Sequence, residues 1–196
     1  MKVEIVDLVG DDLLESTWAL YRGAFEELNA FAVQRHMMYR AEFDEVMRDR
    51  RVRKYLALAD GGELLGMSTY TNELDAMPLI SPAYFQRRWP DLYAERRIFY
   101  CGFVATHPDR RATQAYAVLS EAMYRTAEER DGIIALDFCR YNEEVHRMSR
   151  SVNLLMHRMS AGQVRAHRMD EQSFWLYDTR PAAPEPEPAA VSPSAG

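Results

Sequence analysis

Cysteine, lysine and long apolar runs are all scarce in this sequence. Only two of its 196 residues are cysteines, Cys101 and Cys139, so a disulfide framework is excluded and a reducing compartment is expected. Both cysteines lie in predicted strands, and we expect them to be buried as small apolar residues. No group of residues has the spacing of metal ligands, and we expect no metal ion.

No apolar run approaches the roughly 18–20 residues that a membrane helix requires, and Met1 is not followed by a signal-peptide pattern. We therefore expect a cytoplasmic protein with no membrane partner. The net charge of −6 argues against nucleic acid as a partner. Lysine occurs only at Lys2 and Lys54, and we attribute the bias toward arginine to genome composition.

The composition changes once along the chain. The whole sequence is 47% hydrophobic and 28% charged, which is typical of a globular protein. From residue 180 onward it consists mostly of Pro, Ala, Glu and Ser, which cannot bury enough apolar surface to fold. We expect one domain over residues 1–179 and a disordered tail over residues 180–196.

Alternating patterns and short apolar runs predict seven strands. Asp60-Gly61-Gly62 is a strong hairpin signal between the second and third strands. The strand–helix–strand order from Ile98 to Cys139 predicts two adjacent parallel strands with a right-handed crossover. The result is a mixed α/β sheet with helices on both faces. The predicted strands are Lys2–Leu8, Tyr55–Ala59, Leu64–Thr71, Ile98–Thr106, Ile133–Cys139, Val164–His167 and Phe174–Tyr177.

Apolar residues at steps of three and four predict four main helices. Asn142 is expected to cap the last of them, and Gly162 to close it. The charged run from Arg48 to Lys54 is expected to be a solvated face. In chain order, the apolar residues are Leu14, Trp18, Tyr21, Phe25 and Leu28; Val33, Met37, Phe43 and Met47; Ala115, Val118, Leu119, Ala122 and Met123; and Val145, Met148, Val152, Leu155 and Met159.

The connection Asn72–Arg97 is long and rich in apolar and aromatic residues. Ser81-Pro82 predicts one short helix over Ala83–Arg88, with the serine as its cap. A connection of this length is usually functional or contains its own helix. Two interpretations stay open. The segment packs against the N-terminal helices or against the partner in a homodimer, or it is a lid-like wall over the substrate pocket.

The segment from Cys101 to Leu119 is the most informative in the chain. An apolar strand runs into the turn His107-Pro108-Asp109-Arg110-Arg111, which opens directly into a helix. A helix N-terminus presents unpaired backbone N–H groups and a partial positive charge. The segment therefore predicts an anion site, most often for phosphate.

The order of these elements, together with three segments, resembles the GNAT family of N-acyltransferases. The similarity spans most of residues 1–178. Leu56 to Gly66 looks like the family's central hairpin, Thr106 to Arg111 like the start of its acyl-CoA pyrophosphate loop, and Leu136 to Asn142 like the other side of its pantetheine slot. The resemblance implies a mixed, mostly antiparallel sheet with a splayed parallel strand pair, between which pantetheine lies, and helices on both faces.

The resemblance also implies acyl-CoA, above all acetyl-CoA, as co-substrate, and no metal. A backbone N–H near Val104 or Ala105 would polarise the thioester carbonyl. The loop departs from the family pattern, because Gln114 and Tyr116 stand where two glycines belong, and Tyr116 would crowd a diphosphate unless its ring turns away. The implied donor-binding residues are Val104, Ala105, Thr106, Arg110, Arg111, Ala112, Thr113, Gln114, Ala115, Tyr116 and Asn142.

The general base is open at this point. Family members often have a glutamate on the strand before the loop, but the aligned position here is near Gly102. Tyr100 and His107 are nearby alternatives, and a histidine with an ordinary pKa is a reasonable base for an amine.

Three further residues complete the catalytic candidates. Glu73 follows the second hairpin strand and points toward the acceptor or is a surface acid. Tyr141 lies at the C-terminal end of a strand, where ligands meet open α/β sheets. His157 lies where the family often has a tyrosine that protonates the leaving thiolate, or it is a half-exposed helix residue. The candidates are thus His107, Tyr141, His157 and Glu73.

The sequence favours an N-acyltransferase that moves an acyl group from acyl-CoA to an amine of a small molecule or a protein. The amine attacks directly, with no covalent enzyme intermediate. Two alternatives stay open: an acyl carrier protein as the donor's source, and a non-catalytic binding module in which the glycine-poor loop has lost its function.

Overall fold

The computed structural model describes residues 1–78, 80–107 and 112–179, and it divides into two units, Met1–Ala166 and His167–Gly196. Every helix and strand of the described residues lies in the first unit. The strands are β1 (Lys2–Val6), β2 (Arg53–Leu58), β3 (Leu64–Thr71), β4 (Ile98–Thr106) and β5 (Ile133–Leu136). The helices are α1 (Asp11–Phe25), α2 (Arg40–Arg48), α3 (Pro82–Arg88), α4 (Pro90–Ala94), α5 (Ala112–Glu128), α6 (Arg140–Glu144) and α7 (Met148–Met159).

The five strands form one sheet in the order β1-β2-β3-β4-β5. All neighbours are antiparallel except β4 and β5, which are parallel and joined through α5. The hairpin predicted at Asp60-Gly61-Gly62 connects β2 to β3, and Gly62 has a φ of 86°, which glycine adopts without strain. The predicted fold class, a mixed and mostly antiparallel sheet with helices on both faces, is confirmed.

One face of the sheet is covered by α1 and α2. Their apolar sides pack on the strands through an aromatic cluster centred on Tyr21. The ring of Tyr21 lies 5.0 Å from that of Phe43 and 4.7 Å from that of Phe103 on β4. This cluster fixes the two N-terminal helices over the second half of β4.

The opposite face is covered by α5. Ala115 is fully buried there against β3, because Gly66 leaves room for it. A Cβ at position 66 would come within 3.2 Å of the Ala115 Cβ and 3.1 Å of a Leu119 methyl. Two small residues therefore let the start of α5 approach the sheet closely.

The segment Asn72–Arg97 packs on the sheet rather than on α1 and α2 alone. Its residues Leu74 and Phe85 are buried against Ile98 and Tyr100, in the first half of β4, and against Ala135 of β5. The predicted helix at Ser81-Pro82 is α3. The helix α4 was not predicted. It begins at Pro90, directly after its N-cap Trp89, so a proline occupies its first turn as in α3.

The two last predicted strands are wrong. Val164–His167 and Phe174–Tyr177 form no strand, and Trp175 and Leu176 are 80% and 92% exposed. Their local patterns favoured strands, but a strand also requires a paired neighbour. The predicted tail, residues 180–196, lies outside the described residues.

Three helical details also differ from the sequence analysis. Val33 is 78% exposed and precedes α2, so it is not a core contact. Asn142 lies inside α6, whose N-cap is Cys139, and is not a cap. The last predicted helix is divided into α6 and α7, because Arg147 adopts a left-handed φ of 51° between them. Gly162, with a φ of 85°, follows the end of α7 as predicted.

Lys54 is fully buried, which the solvated-face prediction missed. Its ammonium donates hydrogen bonds to two backbone oxygens, of Asp7 at 2.9 Å and of Asp49 at 2.7 Å. It thereby ties the end of β1 to the end of α2. Burial lowers the pKa of Lys54 to about 8, and the charges of Asp49 and Asp7 partly oppose that shift.

The pH dependence of stability tests this buried ammonium. The pKa of Lys54 is about 8 in the fold and 10.5 when unperturbed, so the unfolded chain binds more protons between these values and stability rises with pH there. We expect the free energy of unfolding of the wild type, relative to Lys54→Met, to increase by up to about 3 kcal/mol from pH 7 to pH 10.5. Subtracting the variant removes the contributions of the tyrosines and Cys101. If the free energies of unfolding of the wild type and of Lys54→Met, measured by chemical denaturation, change in parallel with pH, then burial does not perturb the pKa of Lys54.

Candidate functional site

The parallel pairing between β4 and β5 ends halfway along β4, because β5 is only four residues long. Only Ile98–Cys101 pairs with Ile133–Leu136. Beyond this pairing β4 continues to Thr106, paired on its other edge with β3. From Gly102 onward, the edge of β4 on the side of β5 has no strand partner in the described part of the chain, because β5 ends at Leu136. We call the open space beside this edge of β4, beyond the end of β5, the wedge.

A β-bulge marks the start of the wedge. Thr69 pairs with Phe103 and Tyr70 pairs with Cys101, which leaves Gly102 as the extra residue. The bulge reverses the alternation of the strand: Phe103 after it packs under α1 and α2, and Tyr100 before it lies on the same face of the sheet, packed against Leu74 and Phe85 of the segment Asn72–Arg97. The backbone is bare at Gly102, where a Cβ would lie 2.5 Å from the Met77 Cε and 2.6 Å from the Thr69 Oγ1.

On the face of α1 and α2, a tyrosine and a carboxylate meet beside the wedge. The Tyr100 hydroxyl donates a short hydrogen bond to the Asp137 carboxylate, directly after β5. Burial and the neighbouring Asp137 charge raise the pKa of Tyr100, so the phenol stays protonated and acts as a donor. Tyr100 is buried whereas Asp137 is exposed, so the carboxylate is open to a ligand.

The loop between α1 and α2 forms one wall of this region. Its Phe31 ring stacks on Tyr141, with ring centres 4.5 Å apart and planes within 9°. Its His36 lies near Asp137. Burial lowers the pKa of His36, and the Asp137 charge opposes that shift.

The opposite face of the wedge contains a small apolar cavity of about 30 Å³ between β4, β5, α5 and α7. Tyr116 lines it, so its side chain lies on the inner side of α5. Tyr70 also lines it, and its buried hydroxyl has no hydrogen-bond partner among the described residues. Burial and the Asp137 charge raise the pKa of Cys101 to about 12, so this thiol is not an activated nucleophile.

Three of the implied donor-binding residues, Val104, Ala105 and Thr106, lie on the part of β4 that borders the wedge. Val104 and Thr106 are half-buried and Ala105 is fully buried, all on β4. Thr113 and Gln114 are exposed in the first turn of α5, and Ala115 and Tyr116 face inward. Arg110 and Arg111 lie outside the described residues, and Ala112 is described only as the first residue of α5.

The candidate catalytic residues do not converge. The exposed His107 donates its backbone N–H to the Leu65 oxygen at 2.9 Å. Glu73 follows β3 toward the beginning of β4 and forms an ion pair of 3.1 Å with Arg96. His157 is exposed on α7, whereas its neighbour Met156 lines the cavity.

Tyr141 is the one candidate that lies near the Tyr100–Asp137 pair, four residues beyond Asp137 and in the same segment as Asn142. The sequence analysis missed Asp137 and His36 as site residues. Asp137 follows a buried strand, where ligands meet open sheets, so that rule could have found it. His36 belongs to a loop whose path depends on tertiary packing. The described residues contain no group of three or more His, Cys, Asp or Glu that could hold a metal ion.

Comparison with known proteins identifies the fold. No protein-family model and no curated protein sequence matches this chain. A tetramutant of the BH1408 protein from Bacillus halodurans superposes with a TM-score of 0.53 at 13% identity, over 90% of this chain and 99% of that one. The aminoglycoside 6′-N-acetyltransferase AAC(6′)-Ih from Acinetobacter baumannii gives 0.51 at 12% identity, over 90% and 99%.

A ribosomal-protein-alanine N-acetyltransferase from Brucella melitensis biovar Abortus 2308 gives a TM-score of 0.50 at 17% identity, over 90% of this chain and 100% of that one. Identities this low establish similarity of fold only. The three superpositions confirm the fold that the sequence resemblance implies.

The bulge geometry gives a prediction for Gly102. A methyl at this position must displace Met77 and Thr69, so we expect Gly102→Ala to lower the free energy of unfolding by about 1–3 kcal/mol. Met77→Ala in the same chain should recover part of this loss, since it removes one of the two clashes. Chemical denaturation of the single and double variants measures the coupling.

Gly61→Ala is the matched control, because nothing lies within 4 Å of a Cβ at Gly61. It should change stability by less than about 0.5 kcal/mol. Strict additivity of Gly102→Ala and Met77→Ala would show that Met77 does not pack over the bulge.

Proposed function

Since the chain has the fold of the GNAT N-acetyltransferases, we propose that it is an N-acyltransferase that moves an acyl group from acyl-CoA, above all acetyl-CoA, to an amine. The wedge beside β4, beyond the end of β5, is the observation that supports this most strongly. A strand edge without a partner offers backbone N–H and C=O groups to an extended pantetheine chain, as an added strand would. The adjacent start of α5 suits the diphosphate.

The donor would lie along Val104, Ala105 and Thr106, with its thioester carbonyl near the bulge. A backbone N–H near Val104 or Ala105 would stabilise the negative charge that develops on this carbonyl oxygen. The diphosphate would meet the segment from Arg110 to Tyr116, and Asn142 would contact the other side of the slot. Tyr116 lines the apolar cavity, which would keep its ring clear of the diphosphate.

The acyl group would pass to the amine by direct attack. The nearby thiol that could form a covalent intermediate, Cys101, is buried with a raised pKa, which supports a direct route. Among the catalytic candidates, Tyr141 is placed best for the acceptor side, and its stack with Phe31 would give a flat apolar wall. His107, at the start of the loop, stays a candidate base, and His157 and Glu73 stay weaker ones.

Calorimetry with acetyl-CoA tests the proposal. We expect micromolar binding, weakened about tenfold or more in Arg111→Ala, because charge-assisted contacts to phosphate are lost. Arg125→Ala, in the last turn of α5, is the control and should bind normally. Release of free CoA thiol in the presence of amines, among them sisomicin and a peptide with N-terminal alanine, then tests turnover.

The same titration with acetyl-phosphopantetheine separates the alternatives. Binding of this fragment without binding of acetyl-CoA would favour a carrier-protein donor. Failure of both ligands to bind would overturn the acyltransferase proposal and favour a non-catalytic module.

A further inference from the structure

We infer that Asp137 and Tyr100 form the subsite for the acceptor, in which the Asp137 carboxylate binds a primary ammonium group and later takes its proton. The inference rests on the proposed acyl transfer. It adds a class of acceptor, cationic primary amines, and a residue that contacts the reacting nitrogen. Asp137 is the catalytic residue here, and Tyr100 is a positioning residue.

The first observation is the place of Asp137 in the strand register. Leu136 pairs with Cys101, the last paired residues before the wedge opens. The next residues along the two strands are Asp137 and the bulged Gly102. The carboxylate therefore lies at the vertex of the wedge, where a thioester aligned on β4 would end.

The second observation is the hydrogen bonding of Asp137. Its Oδ1 accepts the Tyr100 hydroxyl hydrogen, which fixes the side chain. A carboxylate accepts about four hydrogen bonds, so the exposed side of the group keeps acceptor capacity. Within residues 1–78, 80–107 and 112–179, no lysine or arginine forms an ion pair with Asp137. An unneutralised carboxylate on rigid elements is a suitable partner for an ammonium group.

His36 does not supply the missing positive charge. It is half-buried, and burial lowers the pKa of its imidazole below the ordinary 6.5, although the Asp137 charge opposes this. It is therefore mainly neutral at pH 7. Among the described residues, the titratable groups that interact with the carboxylate are thus a protonated phenol and a protonated thiol from β4, Tyr100 and Cys101, and the neutral imidazole of His36 from the loop after α1.

A third observation lies on the other side of Gly102. The hydroxyl of Thr69 is fully buried and has no hydrogen-bond partner in the described residues. It would lie 2.6 Å from a Cβ on Gly102, so it is directed at the bulge. A buried hydroxyl without a partner is destabilising, and a polar ligand group that displaced Met77 from the bulge would satisfy it. Asp137 and Thr69 thus provide acceptors on two sides of the bare backbone.

The proposed step removes two protons from the ammonium nitrogen and adds one acyl group to it. The ammonium loses one proton to solvent, and the free amine, held by Asp137, attacks the thioester carbonyl. A C–N bond forms, the C–S bond breaks, and the amine nitrogen passes its second proton to the Asp137 carboxylate. The CoA thiolate leaves and takes a proton from water or from the Asp137 carboxyl. General-base assistance of this kind contributes about 10²–10⁴-fold.

A binding experiment on the full chain tests the subsite without requiring turnover. The probe is putrescine, with butanediol as its neutral counterpart of the same length, and the reporter is the backbone amide NMR signal of Gly102. We expect a saturable shift with putrescine but not with butanediol. Asp137→Asn should abolish it, whereas Asp131→Asn should retain it. Asp131 is a matched acid that lies just before β5, exposed at the opposite end of the strand.

Tyr100→Phe separates positioning from folding. It should weaken putrescine binding about tenfold, since a charge-assisted hydrogen bond that orients the carboxylate is lost. Acetyl-CoA affinity should stay within twofold of the wild type in Asp137→Asn and Tyr100→Phe. For any amine that is acetylated, Asp137→Asn should lower kcat/KM at least about 100-fold.

Three results would overturn the subsite: equal shifts with the diamine and the diol, a putrescine shift that survives in Asp137→Asn, or no saturable shift in the wild type. Failure of acetyl-CoA to bind is a separate result. It would count against the acyltransferase proposal, while the putrescine titration would still decide whether Asp137 binds ammonium.

Discussion

The end of the β4–β5 pairing at Cys101 and Leu136 is the constraint on which the other features depend. Because β5 ends at Leu136, the second half of β4 is held on one edge only, by β3. The bulge at Gly102 lets that half keep a buried face under α1 and α2 despite the extra residue. The segment Asn72–Arg97 also contacts the bulge, since its Met77 packs over the bare backbone of Gly102.

The two faces of the wedge have different chemistry. The face under α1, α2 and the segment Asn72–Arg97 contains the protonated Tyr100, the exposed Asp137 and the aromatic wall of Phe31 and Tyr141. The face under α5 and α7 is apolar, and its thiol and phenol groups are buried. Such a division suits a reaction in which an apolar tether lies on one side and a polar acceptor approaches from the other.

Sequence patterns predicted those features that depend on nearby residues. The Asp60-Gly61-Gly62 hairpin, the full length of β4 and the start of α3 after Ser81 follow from turn chemistry and local periodicity. Features set by long-range pairing were not predictable in this way: the Tyr100–Asp137 contact follows from the β4–β5 register, and Phe174–Tyr177 has a strand-like pattern without a pairing. Lys54 is an intermediate case. It continues the inward alternation of Leu56 and Leu58, but its charge suggested solvent.

The buried position of Lys54 has a chemical consequence for a protein proposed to handle thioesters. Thioesters acylate accessible lysine amines without help, and each such event removes a charge. The sequence has two lysines, and one of them is enclosed by backbone oxygens and closed to solvent. Lys2, paired with Glu4 at 2.5 Å, is the single lysine amine on the surface. Because the other basic side chains are arginines and histidines, acylation of side-chain amines by the proposed donor would be confined almost entirely to Lys2.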